Sequence, residues 1–373
     1  MRIRIIALIF GILIESGCRY SATSSDIPEL LINGGLQTNP FYSKFLFAMS
    51  IGDTAVRSFS LDYSSGQLTQ TDSINTGISG LWISRHPIGP FLFVTENAPN
   101  DGVHSISWDR DTGALAAINN ITTGINNSHR VFPLPDGSAV LFSSLQPLTN
   151  YNYATVDSQG TLGTPSVKAS LSNNTQGMAL HPSGRFLFTG NSAINGIETF
   201  SVAPDGTMSD LVNTPFATGE MLQLADFDSQ GKFLFVLSAP GLNNRLVSYQ
   251  INEATGALTE ITNMSTGLFG AVDLAVHPDN KRLYVSDSGT GSITEYAIGT
   301  DGSLSPVRQN PTGSGSFDSM CMDASGKFIF QIELVASATI RTVQINDDGT
   351  LTAVSTFSGG NIYRHCTVSL DSR

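Results

Sequence analysis

The chain has 373 residues, of which 13% are charged and 36 are glycine, and its formal net charge is −12. That length suits one large all-β domain or two ordinary ones, and sparse charge with abundant glycine suits many short strands joined by tight turns. No basic run follows residue 4, which argues against nucleic acid as a partner, because phosphate binding needs clustered Lys and Arg; the acidic balance reads as a solubility feature.

Met1-Arg2-Ile3-Arg4 is a basic start, and residues 5–14 form an apolar run of ten. Ten residues are too few to span a bilayer as a helix and have the length of a signal-peptide core. Glu15-Ser16-Gly17-Cys18 resembles the end of a bacterial lipobox, in which the cysteine thiol is lipidated and becomes the new N-terminus, although Glu15 stands where an aliphatic residue is usual. The resemblance implies a signal peptide over 1–18 with Cys18 as the lipid-bearing residue. Residues 19–40 are rich in Ser, Thr, Gly and Asn and read as a flexible tether.

From residue 41 onward the chain repeats. A short apolar segment recurs as Phe45-Leu46-Phe47, Phe91-Leu92-Phe93, Ala139-Val140-Leu141, Phe186-Leu187-Phe188, Phe233-Leu234-Phe235, Arg282-Leu283-Tyr284 and Phe328-Ile329-Phe330, at spacings of 46, 48, 47, 47, 49 and 46. A second marker, Gly-x-Leu/Met, also occurs seven times, starting at Gly66, Gly113, Gly160, Gly206, Gly256, Gly302 and Gly349. A period of 40 to 50 residues built from strands and turns predicts a β-propeller with one blade per repeat. In the fourth repeat, Met178–Leu180 is expected as the inner strand, His181-Pro182-Ser183-Gly184 as a turn, and Asp205-Gly206 as a hairpin turn. His86, His181 and His277 recur at that inner turn and read as turn residues.

The first repeat starts directly at Lys44-Phe45 without an inner strand, whereas residues 364–373 form an inner strand and turn with nothing after them. Together they make one blade. The fold class expected is therefore all-β, a seven-bladed β-propeller over residues 41–373 closed by pairing of the C-terminal strand into the first blade.

Propellers take ligands at the channel mouth, near the starts of the inner strands. Counting back from the turn glycine, positions six and four before it are mostly apolar and should pack between blades. Positions seven and five before should face the channel, and position eight should lie on the rim. The channel and rim set includes His129, Arg130, Gln176, Gln223, Asp273, Asp318, Arg364 and His365. The basic members suit an anionic or carbonyl-bearing ligand. Asp226, Asp273 and Asp318 suit a base or a cation contact. Asp318 and Arg364, on neighbouring blades, are expected to pair. Cys321 and Cys366 lie on adjacent inner strands at offsets differing by one, so free thiols are expected. No cofactor motif, metal-ligand spacing or catalytic signature appears.

His-Pro-Ser-Gly-Arg-Phe-Leu-Phe at 181–188 and His-Pro-Asp-Asn-Lys-Arg-Leu-Tyr-Val at 277–285 resemble the lactonase-type seven-bladed propellers, a family that includes 6-phosphogluconolactonases. The resemblance covers about residues 41–373. It implies a His-x-His run before the third inner strand, where this chain has Asn127-Ser128-His129. It also implies Pro-Arg-His and Asn-Glu at later blades, where this chain has Thr175-Gln176-Gly177 and Gly190-Asn191. Arg364-His365 resembles the Arg-His pair but sits in the closing blade.

The leading expectation is a lipid-anchored protein of the bacterial cell envelope, periplasmic or surface-exposed. It would be a monomer that binds a small molecule or protein at the channel mouth without an intact catalytic constellation. Nucleic acid is not expected, and the membrane is met only through the N-terminal lipid. The alternative is a lactone hydrolase with His129 as general base and Arg130 or Arg364 holding the carbonyl or carboxylate.

Overall fold

Each of the seven apolar repeat segments becomes the second strand of an antiparallel sheet, and the seven sheets stand around a central channel. The computed structural model describes residues 41–372 apart from residues 78, 98–101, 123–127, 145–148, 172–176, 192–195, 212–215, 218–221, 239–243, 269, 314–316, 334–338 and 360–361. The proposed signal peptide, Cys18 and the tether lie outside the described residues.

The inner strands of blades 2 to 7 are Ser79–Arg85, Ser128–Pro133, Met178–Leu180, Leu224–Phe227, Ala271–Val276 and Phe317–Met322. The inner strand of blade 1 is Tyr363–Val368, from the end of the chain. It pairs antiparallel with Phe45–Ser50, with Leu46 opposite Val368 and Met49 opposite His365. A further two-residue ladder, Phe41–Tyr42 with Asp371–Ser372, extends the join. The expected closure is thus present, and the blade count is seven.

The two sequence markers turn out to be two halves of one contact. The glycine of each Gly-x-Leu/Met turn has a φ between 71° and 82°, the left-handed region that a side chain resists. A Cβ at Gly113 would run into Phe45 of the preceding blade. The same holds for Gly160 against Phe91, Gly256 against Phe186 and Gly302 against Phe233, while a Cβ at Gly66 would strike Val354 and press on Phe328. The last of these joins blade 7 to blade 1. Where the phenylalanine is absent, at Ala139 and Arg282, Tyr153 and Glu295 face the next glycine instead. The second strands are buried on both faces because every blade is stacked between two others, which is why they read as unbroken apolar runs rather than alternating ones.

Polar groups also stitch the blades. His86, His181 and His277 hold the inner turns of blades 2, 4 and 6. Each ring Nε2 meets a glycine carbonyl in the turn of the next blade: Gly137 at 2.9 Å, Gly231 at 2.7 Å and Gly326 at 3.1 Å. At the join, the Ser43 N–H donates to Asp323 of blade 7 at 3.1 Å.

One expectation is overturned. Cys321 and Cys366 form a disulfide, with Cα atoms 5.9 Å apart. Opposite offsets point side chains apart on strands of one sheet, but these strands belong to two stacked blades. Stacked sheets present opposite faces to each other, so opposite offsets converge. The bond ties the inner strand of blade 7 to the strand that closes blade 1.

Candidate functional site in the central channel

Five residues at position seven before the turn, Trp82, Arg130, Leu224, Asp273 and His365, line two chambers at once and form a septum between them. Above it, toward the starts of the inner strands, lies a vestibule of about 120 Å³ whose further walls are Leu81, Val272, Asp318, Ser319 and Arg364. Below it, toward the inner turns, lies a chamber of about 360 Å³ walled mainly by apolar side chains and the disulfide.

Arg130 is the hub of the septum. It extends from blade 3 and is only 6% exposed. Its terminal nitrogens donate to the carbonyl of Met178 in blade 4 at 3.4 Å and of Gln223 in blade 5 at 2.8 Å. The indole of Trp82 from blade 2 lies 4.5 Å from the guanidinium carbon, and the imidazole of His365 from blade 1 stacks on that indole at 3.8 Å. Trp82 thus contacts both the Arg130 guanidinium and the His365 ring, through cation–π attraction and ring stacking. Burial lowers the Arg130 pKa to about 10, a fall opposed by the charge of Asp273. Burial, and then the charge of Arg130, pushes His365 down to about 3, so its ring is neutral at physiological pH.

The septum carboxylate is committed. Asp273 accepts the N–H of Leu274 at 2.9 Å and, across to blade 7, that of Met320 at 2.8 Å. Burial raises its pKa to about 7. One blade earlier, Asp226 repeats the clasp, accepting from Phe227 and from Val276 of blade 6, both at 2.8 Å, and burial raises it to about 6. Ser319 continues the series by donating to the Arg364 carbonyl at 2.8 Å.

At the mouth, Arg364 Nε lies 3.6 Å from Asp318 Oδ2, the pairing expected from the neighbouring blades. The Arg364 side chain is 44% exposed and that of Asp318 21%. Among the described residues this approach is the only polar contact recorded for the guanidinium. Asp318 feels burial more strongly than Arg364, and its pKa is raised.

The structure therefore brings Arg130, Asp273, Asp318, Arg364 and His365 to one channel. Gln223 takes part through its backbone carbonyl. His129 is on the inner strand Ser128–Pro133, with its side chain outside the described residues, as is the whole of Gln176. The septum role of Trp82 and Leu224 was not anticipated. The signal was available, since both share the seven-before position with Arg130, Asp273 and His365. Among the described residues no group of three His, Cys, Asp or Glu is placed to hold a metal ion.

A seven-bladed propeller with a charged channel mouth defines the class. The family model described as lactonase, 7-bladed beta-propeller, matches residues 143–273 and 246–361, and the chain belongs to that family. The fold is shared with the periplasmic gluconolactonase of Pseudomonas aeruginosa, at a TM-score of 0.76 and 16% identity over 88% of this chain and 99% of that one. It is shared equally with candidate 6-phosphogluconolactonases from Bacteroides fragilis and Bacteroides uniformis. These give TM-scores of 0.73 and 0.74 and identities of 15% and 17%, covering 88% of this chain and 98% and 100% of theirs. No curated protein matches the chain. At such identities the likeness carries the fold alone.

Proposed function

We propose that the vestibule binds a small hydroxycarboxylate or the corresponding lactone, and that the protein acts chiefly as a binding protein. The observation that supports this is the half-exposed Arg364 beside Asp318 at the mouth. A guanidinium receives a carboxylate with two parallel N–H bonds, and a neighbouring carboxylate accepts a hydroxyl; a sugar acid carries both groups. The septum polar atoms are already engaged or sealed, which leaves the mouth pair as the groups open to a ligand. Isothermal titration with a panel of sugar acids and their lactones tests the reading. Arg364→Ala should weaken binding at least about tenfold, the loss of one charge-assisted contact. Equal affinity of wild type and variant for every member would refute it.

Family membership favours a second reading, hydrolysis of the lactone, with His129 as general base and Arg364 polarising the carbonyl. Turnover of any lactone in the panel, abolished by His129→Ala at unchanged melting temperature, would establish it. Absence of turnover across the panel would leave the binding reading.

We further propose that the protein works outside the cytoplasm, anchored through lipidated Cys18. The Cys321–Cys366 disulfide supports an oxidising compartment, and the basic start, apolar run and lipobox-like end support export. The periplasmic location of the P. aeruginosa gluconolactonase agrees. Mass spectrometry of the mature N-terminus decides it; an unmodified terminus beyond residue 18 would refute lipidation.

A further inference from the structure

The larger chamber is chemically unlike the vestibule. Phe132, Met178, Leu274, Met320 and Met322 form part of its wall, and three acids also line it: Asp273 belongs to the septum, Asp323 accepts from Ser43, Ser325 and Lys327, and Asp226 is left unused by the mouth reading. Its septum counterpart, Asp273, stands in the field of Arg130. Among the described residues Asp226 has no such counter-ion: the side-chain charge that acts on it belongs to Asp228, another acid. Its two recorded partners are backbone N–H groups, one to each oxygen, so each oxygen keeps a lone pair for a ligand.

A buried carboxylate without a cation is costly and calls for a positive partner. Inorganic cations do not fit, because calcium and magnesium need six or more oxygen ligands and this wall offers mostly carbon and sulfur. The partner that fits is a cation whose remaining surface is apolar. Thioethers and an aromatic ring adapt to such a body. Arg130 in the ceiling does not repel it strongly, since Asp273 offsets that charge.

We propose that the turn-side chamber is a second binding site, for a small organic ammonium ion whose charge is met by Asp226 and whose apolar part lies against Phe132, Met178, Met320 and Met322. The site is separated from the vestibule by the septum and is independent of the hydroxycarboxylate reading.

Titration calorimetry on the mature protein at pH 7 tests it, with 2-phenylethylammonium as the probe and 2-phenylethanol as its neutral analogue. The ammonium ion should bind at least about tenfold more tightly than the alcohol, and Asp226→Asn should remove that preference. Met322→Trp, which fills the chamber and leaves the carboxylate in place, should abolish binding of both. Equal affinity for the two probes, an ammonium affinity unchanged in Asp226→Asn, or no heat from either probe at millimolar concentration would overturn the proposal. Should Asp226→Asn fail to fold, undiminished binding by Met322→Trp would overturn it alone.

Discussion

Reduction of the Cys321–Cys366 bond perturbs the ring at its one seam that is not continuous in sequence. The bond closes a loop with a sequence separation of 45. On the chain-entropy model, the unfolded state loses about 2.1 plus 1.5R ln 45 cal/mol/K, roughly 13 in all, which is about 4 kcal/mol at 25 °C. Breaking the bond while keeping both side chains should therefore destabilise the fold by about 4 kcal/mol and lower Tm by about 5–6 °C in a domain of this size. Oxidised and reduced wild type serve better than a Cys→Ala pair, because Cys366 sits in the core with Phe59, Phe330 and Tyr363, and truncating it adds a packing loss. The assay is urea unfolding followed by tryptophan fluorescence, with and without reductant, the redox state being checked by alkylation and mass. Coincident unfolding curves for the two states would refute the argument. So would alkylation of both thiols in the native protein as isolated.

Three other outcomes follow from the same geometry. Gly77 and Gly113 both have φ 75°, but a Cβ at Gly77 meets nothing within 4 Å whereas one at Gly113 strikes Phe45 and Ser58. Gly77→Ala should cost about 1 kcal/mol, from backbone strain alone, and Gly113→Ala about 3, measured by urea unfolding; equal costs would dismiss the Phe–Gly contact as a structural element. Deleting residues 361–373 removes the inner strand of blade 1 and should abolish cooperative melting by differential scanning calorimetry, while an unchanged melting curve would contradict closure by that strand. Finally, His365 is held near 3, below its unfolded value near 6.5, so the folded state resists a proton the unfolded state takes up. Its contribution is present above pH 6.5 and is lost as pH falls toward 3, at up to about 1.4 kcal/mol per pH unit. Asp226 and Asp273, raised to about 6 and about 7, act with the opposite sign, their contribution falling as pH rises from about 4 through those values. Comparing His365→Asn with wild type isolates the histidine: the variant should lose less stability than wild type between pH 6.5 and 4, and parallel profiles would refute the assignment.

The repeat made the architecture legible, because the two features that define a blade here are local in sequence. A strand buried on both faces must be an unbroken apolar run, and a tight hairpin must carry glycine at a left-handed position. Each therefore leaves a mark in every copy. The closing strand was legible for a similar reason, since Tyr363–Val368 carries the pattern missing before Phe45. Counting back from the turn glycine also placed Arg130, Asp273 and His365 on the channel, because parity along a strand is a two-residue rule that needs no tertiary knowledge.

What parity does not contain is reach, or the relation between sheets. Arg130 was legible as a channel residue, but not as the side chain that crosses to blades 4 and 5 and closes the channel; that depends on the length of the arginine and the channel width together. Asp226 and Asp273 looked like open acids, and only the stacking of blades shows that they bind backbone N–H groups one blade onward. The Cys321–Cys366 bond is hidden for the same reason, since strand parity describes neighbours in one ladder and these two strands belong to stacked sheets.

The septum also constrains what the channel can do. Between Arg364 and Asp318 at the mouth and the turn-side chamber stand His365, Trp82 and Arg130, and moving the indole aside would break its contacts with both partners. The guanidinium would then lose its aromatic face in a site where it is already desolvated, and a desolvated cation–π contact is worth about 2 kcal/mol or more. The two cavities differ in chemistry, one polar and charged at the rim, the other largely apolar with Asp226 and Asp323 in its wall. The two proposed sites therefore call for ligands of different chemistry.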